Sequence, residues 1–275
     1  MTLPKKAHKS QRADFSDLVV TLSDAPELSE LAEIAASGQV IDAVQLVGLA
    51  GPNDDTAVTA YDLRLNEVVM TEIKDTNDVD QLGFSYGQIS LTTTSITDGS
   101  ETSQVFSWDL VDGPGTEEGK EAMPGDGTEG GGPLSYYLLI DGLNGGSGRV
   151  EGAFEISSYE IDISRLTDVG SGRSATRADF SDLLGTLSDA PELSELAEIA
   201  ASGQIIDAVQ LVGLAGPKDD TAYDLRLNDV VMTEVKDTDD VDQLAFAYGQ
   251  ISLTTTSTPD DGSEGTSQVF SWDLA

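Results

Sequence analysis

One segment of this sequence occurs twice along the chain, and this duplication constrains the fold more than any other feature. Three short motifs return almost unchanged, namely RADFSDL at 12–18 and 177–183, DAPELSEL at 24–31 and 189–196, and QVFSWDL at 104–110 and 268–274. Small insertions, such as Val58–Ala60 in the first copy, interrupt the match. Because segments this similar bury the same pattern of side chains, the two copies are predicted to share one fold.

The stretch between the two copies predicts a linker followed by a hairpin. Residues 112–133 are rich in Gly, Glu and Pro, a composition typical of flexible linkers. The segment 134–164 has no counterpart ahead of the first copy. It predicts a strand at 136–140, a Gly/Asn turn at 141–148 and a longer strand at 150–163 with a bulge at Ser157–Ser158.

These observations predict the domain organisation. We expect a first unit, residues 1–111, that lacks the hairpin, a linker at 112–133, and a complete second unit, residues 134–275. A barrel short of two strands has open edges, which are prone to association. Three sources for the missing strands remain open: a neighbouring chain, the hairpin at 134–164 itself, or a hairpin encoded upstream of the assigned start.

The local pattern within each unit predicts one helix and several strands. In the second unit Leu193, Leu196 and Ile199 recur at helical spacing, and Gly203 is expected to end the helix. Alternating apolar residues predict strands at 206–214, 223–235, 243–256 and 269–272. Many short strands joined by turns that contain Gly, Asp or Pro indicate an antiparallel barrel or sandwich.

The charge balance excludes two classes of partner. Fifty acidic residues oppose 14 basic ones, which gives a formal net charge of -36. Such a surface repels nucleic acid and anionic membranes, and no apolar stretch approaches the ~20 residues of a membrane span. Two interpretations of the acidity stay open: solubility, for instance in a saline habitat, or control of assembly.

The sequence offers little for catalysis. The chain has no cysteine, and its single histidine, His8, stands in a polar N-terminal segment. No catalytic triad, zinc motif or phosphate-binding loop is present, so we expect no enzyme activity, no cofactor and no metal. A carboxylate-dependent hydrolase or a calcium-binding module is the alternative. Its candidate residues are acidic turns at 219–220, 237–240 and 260–261. The runs at 75–80 and 237–242 slightly resemble an EF-hand loop, although both lack its Gly and Glu.

The order of these pieces along the chain resembles a known family. The second unit contains, in sequence, YYLLIDGL at 136–143, a long strand at 150–163, a Gly/Ser-rich loop at 167–176, DFSDL at 179–183, the helix, YDLRLNDVV at 223–231, a strand at 243–253 and FSWDL at 270–274. This arrangement resembles the Hcp family, the tube protein of the type VI secretion system. The resemblance covers 134–275, and 12–110 without the hairpin.

The resemblance implies a fold and a function. It implies a mainly β protein with two Hcp-like antiparallel β-barrel lobes, each flanked by one short helix. Family members form rings of six lobes that stack into a hollow tube, which a contractile sheath expels with a spike at its tip and small effectors inside. The chain is therefore expected to be structural and to self-assemble, with three two-lobed chains in each ring. The alternative is an extracellular filament or tubular appendage outside a secretion machine.

Two further expectations concern export and assembly. Residues 1–11 lack the apolar region of a conventional signal peptide, so we expect a protein that is made in the cytoplasm and secreted by another route. Half of the basic residues cluster ahead of the repeats, where the Hcp family has its ring-to-ring loop. These candidate interface residues are Lys5, Lys6, Lys9, Arg12, Arg165, Arg173 and Arg177.

Overall fold

The computed structural model describes most of both copies. The described residues are 16–22, 27–50, 58–77, 79–97, 100–110, 113–114, 134–165, 177–187, 193–216, 219–237, 241–257 and 266–274. Most of the predicted linker lies outside them.

Strands dominate the described residues. The first unit contains β1 (Leu18–Leu22), α1 (Leu28–Ser37), β2 (Val40–Ala50), β3 (Val58–Thr76), β4 (Asp80–Ser85), β5 (Gln88–Thr97) and β6 (Ser100–Asp109), followed by β7 (Gly113–Pro114). The second contains β8 (Ser135–Ile140), β9 (Phe154–Ser164), β10 (Asp179–Phe180), β11 (Leu183–Leu187), α2 (Leu193–Ser202), β12 (Ile205–Ala215), β13 (Asp220–Asp237), β14 (Asp242–Ala247), β15 (Gln250–Ser257) and β16 (Thr266–Asp273).

Six strands of the second unit close into an antiparallel barrel. Going round it, β8 pairs with β9, β9 with β11, β11 with β14, β14 with β13, β13 with β12, and β12 with β8 again. Leu138, Leu211 and Phe246 are fully buried in its core. The mainly β fold with an antiparallel barrel, predicted from the sequence, is confirmed.

Among the described residues, the first unit has counterparts of β11 to β16 but does not close into a barrel. β4 pairs with β1 and β3, and β3 pairs with β2 and β5. Within the described ranges, no strand occupies the positions beside β1 and β2 that β9 and β8 take in the second unit. Instead β3 pairs along its last residues with β9, so that the hairpin strand joins both units in one sheet.

The structure corrects two predicted strands. The strand expected at 150–163 begins only at Phe154, because Gly152 has φ +78° and the Ala153 N–H donates to the Val150 carbonyl in a turn. The bulge predicted at Ser157–Ser158 is confirmed, since the pairing with β11 jumps from Ser158 to Ile156.

The strand expected at 243–256 is in fact two strands, β14 and β15. The long strand β13 bends at Asp229, which has φ +53°, and its two halves therefore need separate partners. β15 pairs with the first half and β14 with the second. Gly249 turns the chain between them, and its N–H donates to the Asn228 carbonyl.

The two helices have the same ten-residue sequence and end at the same signal. Gly38 and Gly203 follow them with φ of +67° and +63°, a left-handed conformation that glycine adopts without steric cost. The end predicted at Gly203 is confirmed. Neither these helices nor any other helix in the described ranges is long and apolar enough to span a membrane.

Candidate assembly interface

The helix of the first unit packs on the sheet of the second. Leu28 and Ala32 on one face of α1 lie beside Leu253 and Phe270, which β15 and β16 present. The Ser29 Oγ lies 2.9 Å from Thr255 Oγ1 at the centre of this contact, and both residues are buried. Small residues on this face of α1 let the helix approach the sheet closely, so the contact buries apolar surface from both units.

Strand pairing forms the second part of the interface. The end of β3 pairs antiparallel with the end of β9, from Glu72 opposite Ser164 to Thr76 opposite Glu160. Lys74 Nζ lies 2.9 Å from Glu160 Oε1. Because both side chains are partly exposed, this ion pair contributes at most about 1 kcal/mol, and the backbone ladder carries more of the contact.

A buried carboxyl group lies where the strand pairing meets the helix contact. Asp75 of the first unit accepts hydrogen bonds from the hydroxyls of Tyr159 at 2.7 Å and Tyr223 at 2.6 Å, both in the second unit. Tyr136 packs edge-on against both tyrosine rings, with ring centroids 4.8 and 5.7 Å away. Burial raises the pKa of Asp75 well above its usual value, and the nearby Asp80 carboxylate raises it further.

A second carboxyl group in the strand pairing, that of Asp162, also has a raised pKa. Burial and, next, the charge of Glu72 raise the pKa of Asp162 to about 6. The interface thus contains two carboxyl groups whose protonated forms the folded state favours. Rising pH is therefore expected to weaken it.

Of the seven basic residues predicted to lie at an interface, the structure describes two. Arg165 donates to the carbonyl oxygens of Ala35 and Ala36 at the end of α1, and thus satisfies groups that a helix leaves without partners. Burial lowers the pKa of its guanidinium group. Arg177 donates to the Leu274 carbonyl. Lys5, Lys6, Lys9, Arg12 and Arg173 lie outside the described residues.

Of the acidic segments considered for calcium or catalysis, the run at 75–80 contributes the buried Asp75 to this interface, and the others are described only in part. Asp219 has φ +60° and accepts hydrogen bonds from Arg149 in the loop after β8. Asp237 is exposed at the end of β13, and the pair at 260–261 lies outside the described residues. In the part of the chain that the structure describes, no group of three or more His, Asp or Glu side chains is arranged to hold a metal ion.

Sequence reasoning missed the residues that join the two units. The α1 face appeared as an ordinary apolar stripe, because nothing in a repeat indicates which copy its helix covers. Asp75 was considered only as part of the acidic run at 75–80, whereas the structure buries it against two tyrosine hydroxyls. It stands two residues after Ile73 in a strand, on the face that points inward, and an acid at such a position predicts a buried polar contact.

Comparisons with known proteins find similarity at the level of structure. No family model matches the chain, and no curated protein matches it. A solved structure described as that of a type six secretion system protein is 17% identical, covering 51% of this chain and 96% of its own, with a TM-score of 0.48. Hcp1 from Salmonella typhimurium is 15% identical over 51% of this chain and 95% of its own, with a TM-score of 0.42.

A third match is Hcp3 from Pseudomonas aeruginosa, described as a secreted protein. It is 13% identical and covers 51% of this chain and 99% of its own, with a TM-score of 0.36. The likeness is one of fold, over about half of the chain.

Proposed function

We propose that this chain is a structural subunit that assembles with copies of itself into rings, and that the rings stack into a hollow tube. Each chain contributes two units, 1–111 and 134–275, joined by the linker at 112–133, so three chains complete a ring of six units. The Hcp-like order of motifs in the sequence supports this proposal, since the family it resembles builds such tubes.

The contact between α1 and the second-unit sheet carries the proposal. It is heterologous, because a helix face on one unit meets a sheet face on the other. Both units have nearly the same sequence, so each possesses both kinds of surface. Heterologous contacts repeat from subunit to subunit, and they form a closed ring when the rotation between neighbours closes. The two units of this chain are then successive members of such a ring.

The wider setting follows from the same resemblance. A tube of this class is made in the cytoplasm and exported with a spike and sheath, and its lumen takes small effectors. In this role the chain acts through its surfaces and carries no catalytic site.

Electron microscopy of the purified protein tests whether the chains form rings. Class averages are expected to show rings with six lobes made from three chains. Rings of six complete chains would overturn the stoichiometry, and the absence of any ring would overturn the function.

The basic residues ahead of each copy are proposed to contact the next ring. Self-repulsion between chains of net charge -36 reaches over ~30 Å at 0.01 M salt and ~10 Å at 0.1 M. Close basic contacts against an acidic face would offset it. Arg173→Glu/Arg177→Glu is therefore expected to lower the sedimenting fraction at every salt concentration at which the wild type polymerises. Equal fractions for the two proteins would contradict this role.

A further inference from the structure

The duplication provides two matching helix faces and two matching sheet faces, and the contact inside the chain uses one of each. Ser29 and Ala32 of α1 are 1% and 2% exposed, because the second-unit sheet covers them. Their counterparts in the identical helix α2, Ser194 and Ala197, are exposed to solvent. The same helix face is thus buried in one copy and open in the other.

The sheet surface shows the opposite asymmetry. Thr255 and Phe270, which receive α1, are 5% and 2% exposed. Their counterparts on β5 and β6 of the first unit are Thr93, which is exposed, and Phe106, which is 43% exposed. An exposed phenylalanine beside a strand of threonines is therefore the same surface that accepts a helix in the second unit.

We propose that α2 of one chain docks on β5 and β6 of a second copy and reproduces there the contact that α1 makes with β15 and β16. The occupant is another copy of this chain, because the chain itself shows this helix sequence seated on this sheet sequence. The inference rests on the proposed function and deepens it, since it names the surfaces through which the chains join.

The correspondence predicts individual contacts across the junction. Ser194 meets Thr93, as Ser29 meets Thr255 inside the chain. Glu195 comes within reach of Gln104, because the Gln268 amide lies 3.4 Å from the Glu30 carboxylate in the internal contact. These pairs fix the register of the helix on the sheet.

The junction between chains is expected to be weaker than the internal contact. The internal contact adds the pairing of β3 with β9, and the first unit has no strand equivalent to β9 among its described residues. Asp237, the counterpart of Asp75, can therefore reach Tyr61, the counterpart of Tyr223, but finds no second tyrosine equivalent to Tyr159. Helix docking without strand addition predicts an assembly that dissociates on dilution while each chain stays folded.

Engineered disulfides test the register directly, because the chain contains no cysteine of its own. The double variant Ser194→Cys/Thr93→Cys is oxidised with copper–phenanthroline in moderate salt and run on a non-reducing gel. A ladder of linked chains that ends at three is expected. Both positions are exposed, so the substitutions leave the fold intact. A mixture of Ser194→Cys chains and Thr93→Cys chains is expected to give linked pairs and nothing longer.

The matched control uses the internal contact. Ser29→Cys/Thr255→Cys is expected to form a disulfide within one chain, because the oxygens that the sulfurs replace are 2.9 Å apart. Its gel band stays at the mass of a single chain, and loss of both free thiols, titrated in the denatured and unreduced protein, shows that the disulfide has formed. If it forms, the contact geometry permits cross-linking, and a missing ladder in the other variant means that the contact between chains is absent.

The outcomes separate the inference from the proposed function. If the Ser194→Cys/Thr93→Cys chains assemble in solution and no ladder forms, the chains join by other surfaces; the inference fails and the function stands. If nothing assembles and nothing cross-links, both fail. Ala197→Arg gives a second measure. It is expected to reduce assembly more than tenfold with an unchanged melting temperature, whereas full assembly by this variant would overturn the docking of α2.

Discussion

The strands β2 and β12 have sequences that differ at one residue in 11, yet they occupy different environments. Leu211 and Leu214 of β12 are 0% and 7% exposed, because β8 pairs along its edge. Their counterparts on β2, Leu46 and Leu49, are 40% and 60% exposed. The difference arises from the single hairpin, which the second unit has and the first lacks.

The duplicated surfaces are therefore incomplete without neighbours. The edges of β2 and β12 carry the same apolar residues. β8 covers this edge in the second unit, whereas no described strand covers it in the first. Exposed apolar surface of this kind marks an interaction site in a soluble protein. Matching residues of the two units differ in burial, and we expect them to differ in their contribution to stability.

The largest difference is expected for the two phenylalanines of β6 and β16. Phe270→Ala removes a ring that is 2% exposed under α1, and it should lower the free energy of unfolding by about 3–5 kcal/mol. Phe106→Ala should lower it by about 1 kcal/mol or less in dilute protein, because its ring is 43% exposed. Urea denaturation at low protein concentration measures both. Equal losses would show that the two sheets are covered alike.

A smaller difference is expected for the edge strands. Leu211→Ala leaves a cavity in the closed barrel and should cost about 2–4 kcal/mol. Leu46→Ala, at the matching position of β2, should cost about 0.5–1 kcal/mol. The same denaturation series serves for the comparison. A loss at Leu46 as large as that at Leu211 would mean that another strand covers the first unit.

The smallest effect concerns pH. The raised pKa of Asp75 gives a stabilising contribution that is complete below the unfolded value of 3.8 and is lost as pH rises through the folded value. The wild type should therefore become less stable as pH rises above 3.8, and the part of this loss that Asp162 contributes is complete only above its folded pKa of about 6. Asp75→Asn should flatten that slope.

The exposed counterpart provides the control for this prediction. Asp237→Asn changes the same residue type at the matching position of the second unit, where the side chain faces solvent. It should retain the wild-type pH dependence. Thermal melts of dilute, unassembled chains at pH values from about 4 to about 8 compare the three proteins. Parallel curves for wild type and Asp75→Asn would exclude Asp75 as the source.

Sequence patterns predicted the local structure well and the contacts between units poorly. The helix end at Gly203 and the bulge at Ser157–Ser158 depend on neighbouring residues, so they could be read directly. The break between β14 and β15 was missed because Tyr248 continues the alternation, and only the bend at Asp229 shows that two strands are needed.

The seating of α1 on the other unit could not be predicted, for a physical reason. Both copies offer the same helix face and the same sheet face, so the sequence is compatible with either pairing. The choice depends on β9, whose last residues pair with β3 and bring the first unit against the second-unit barrel. Arg165, at the end of that strand, was predicted to act between rings, and in the structure it binds the end of α1. Its action between rings stays a prediction.

The native mass of the wild type across a salt series shows whether the chains assemble into rings. We expect single chains at about 0.01 M salt, where repulsion is long-ranged, and closed sets of three chains and their multiples at about 0.1 M. The Ala197→Arg variant should remain a single chain throughout. A wild type that stays a single chain at every salt concentration, or whose mass never matches a multiple of three chains, would contradict assembly into rings of three chains.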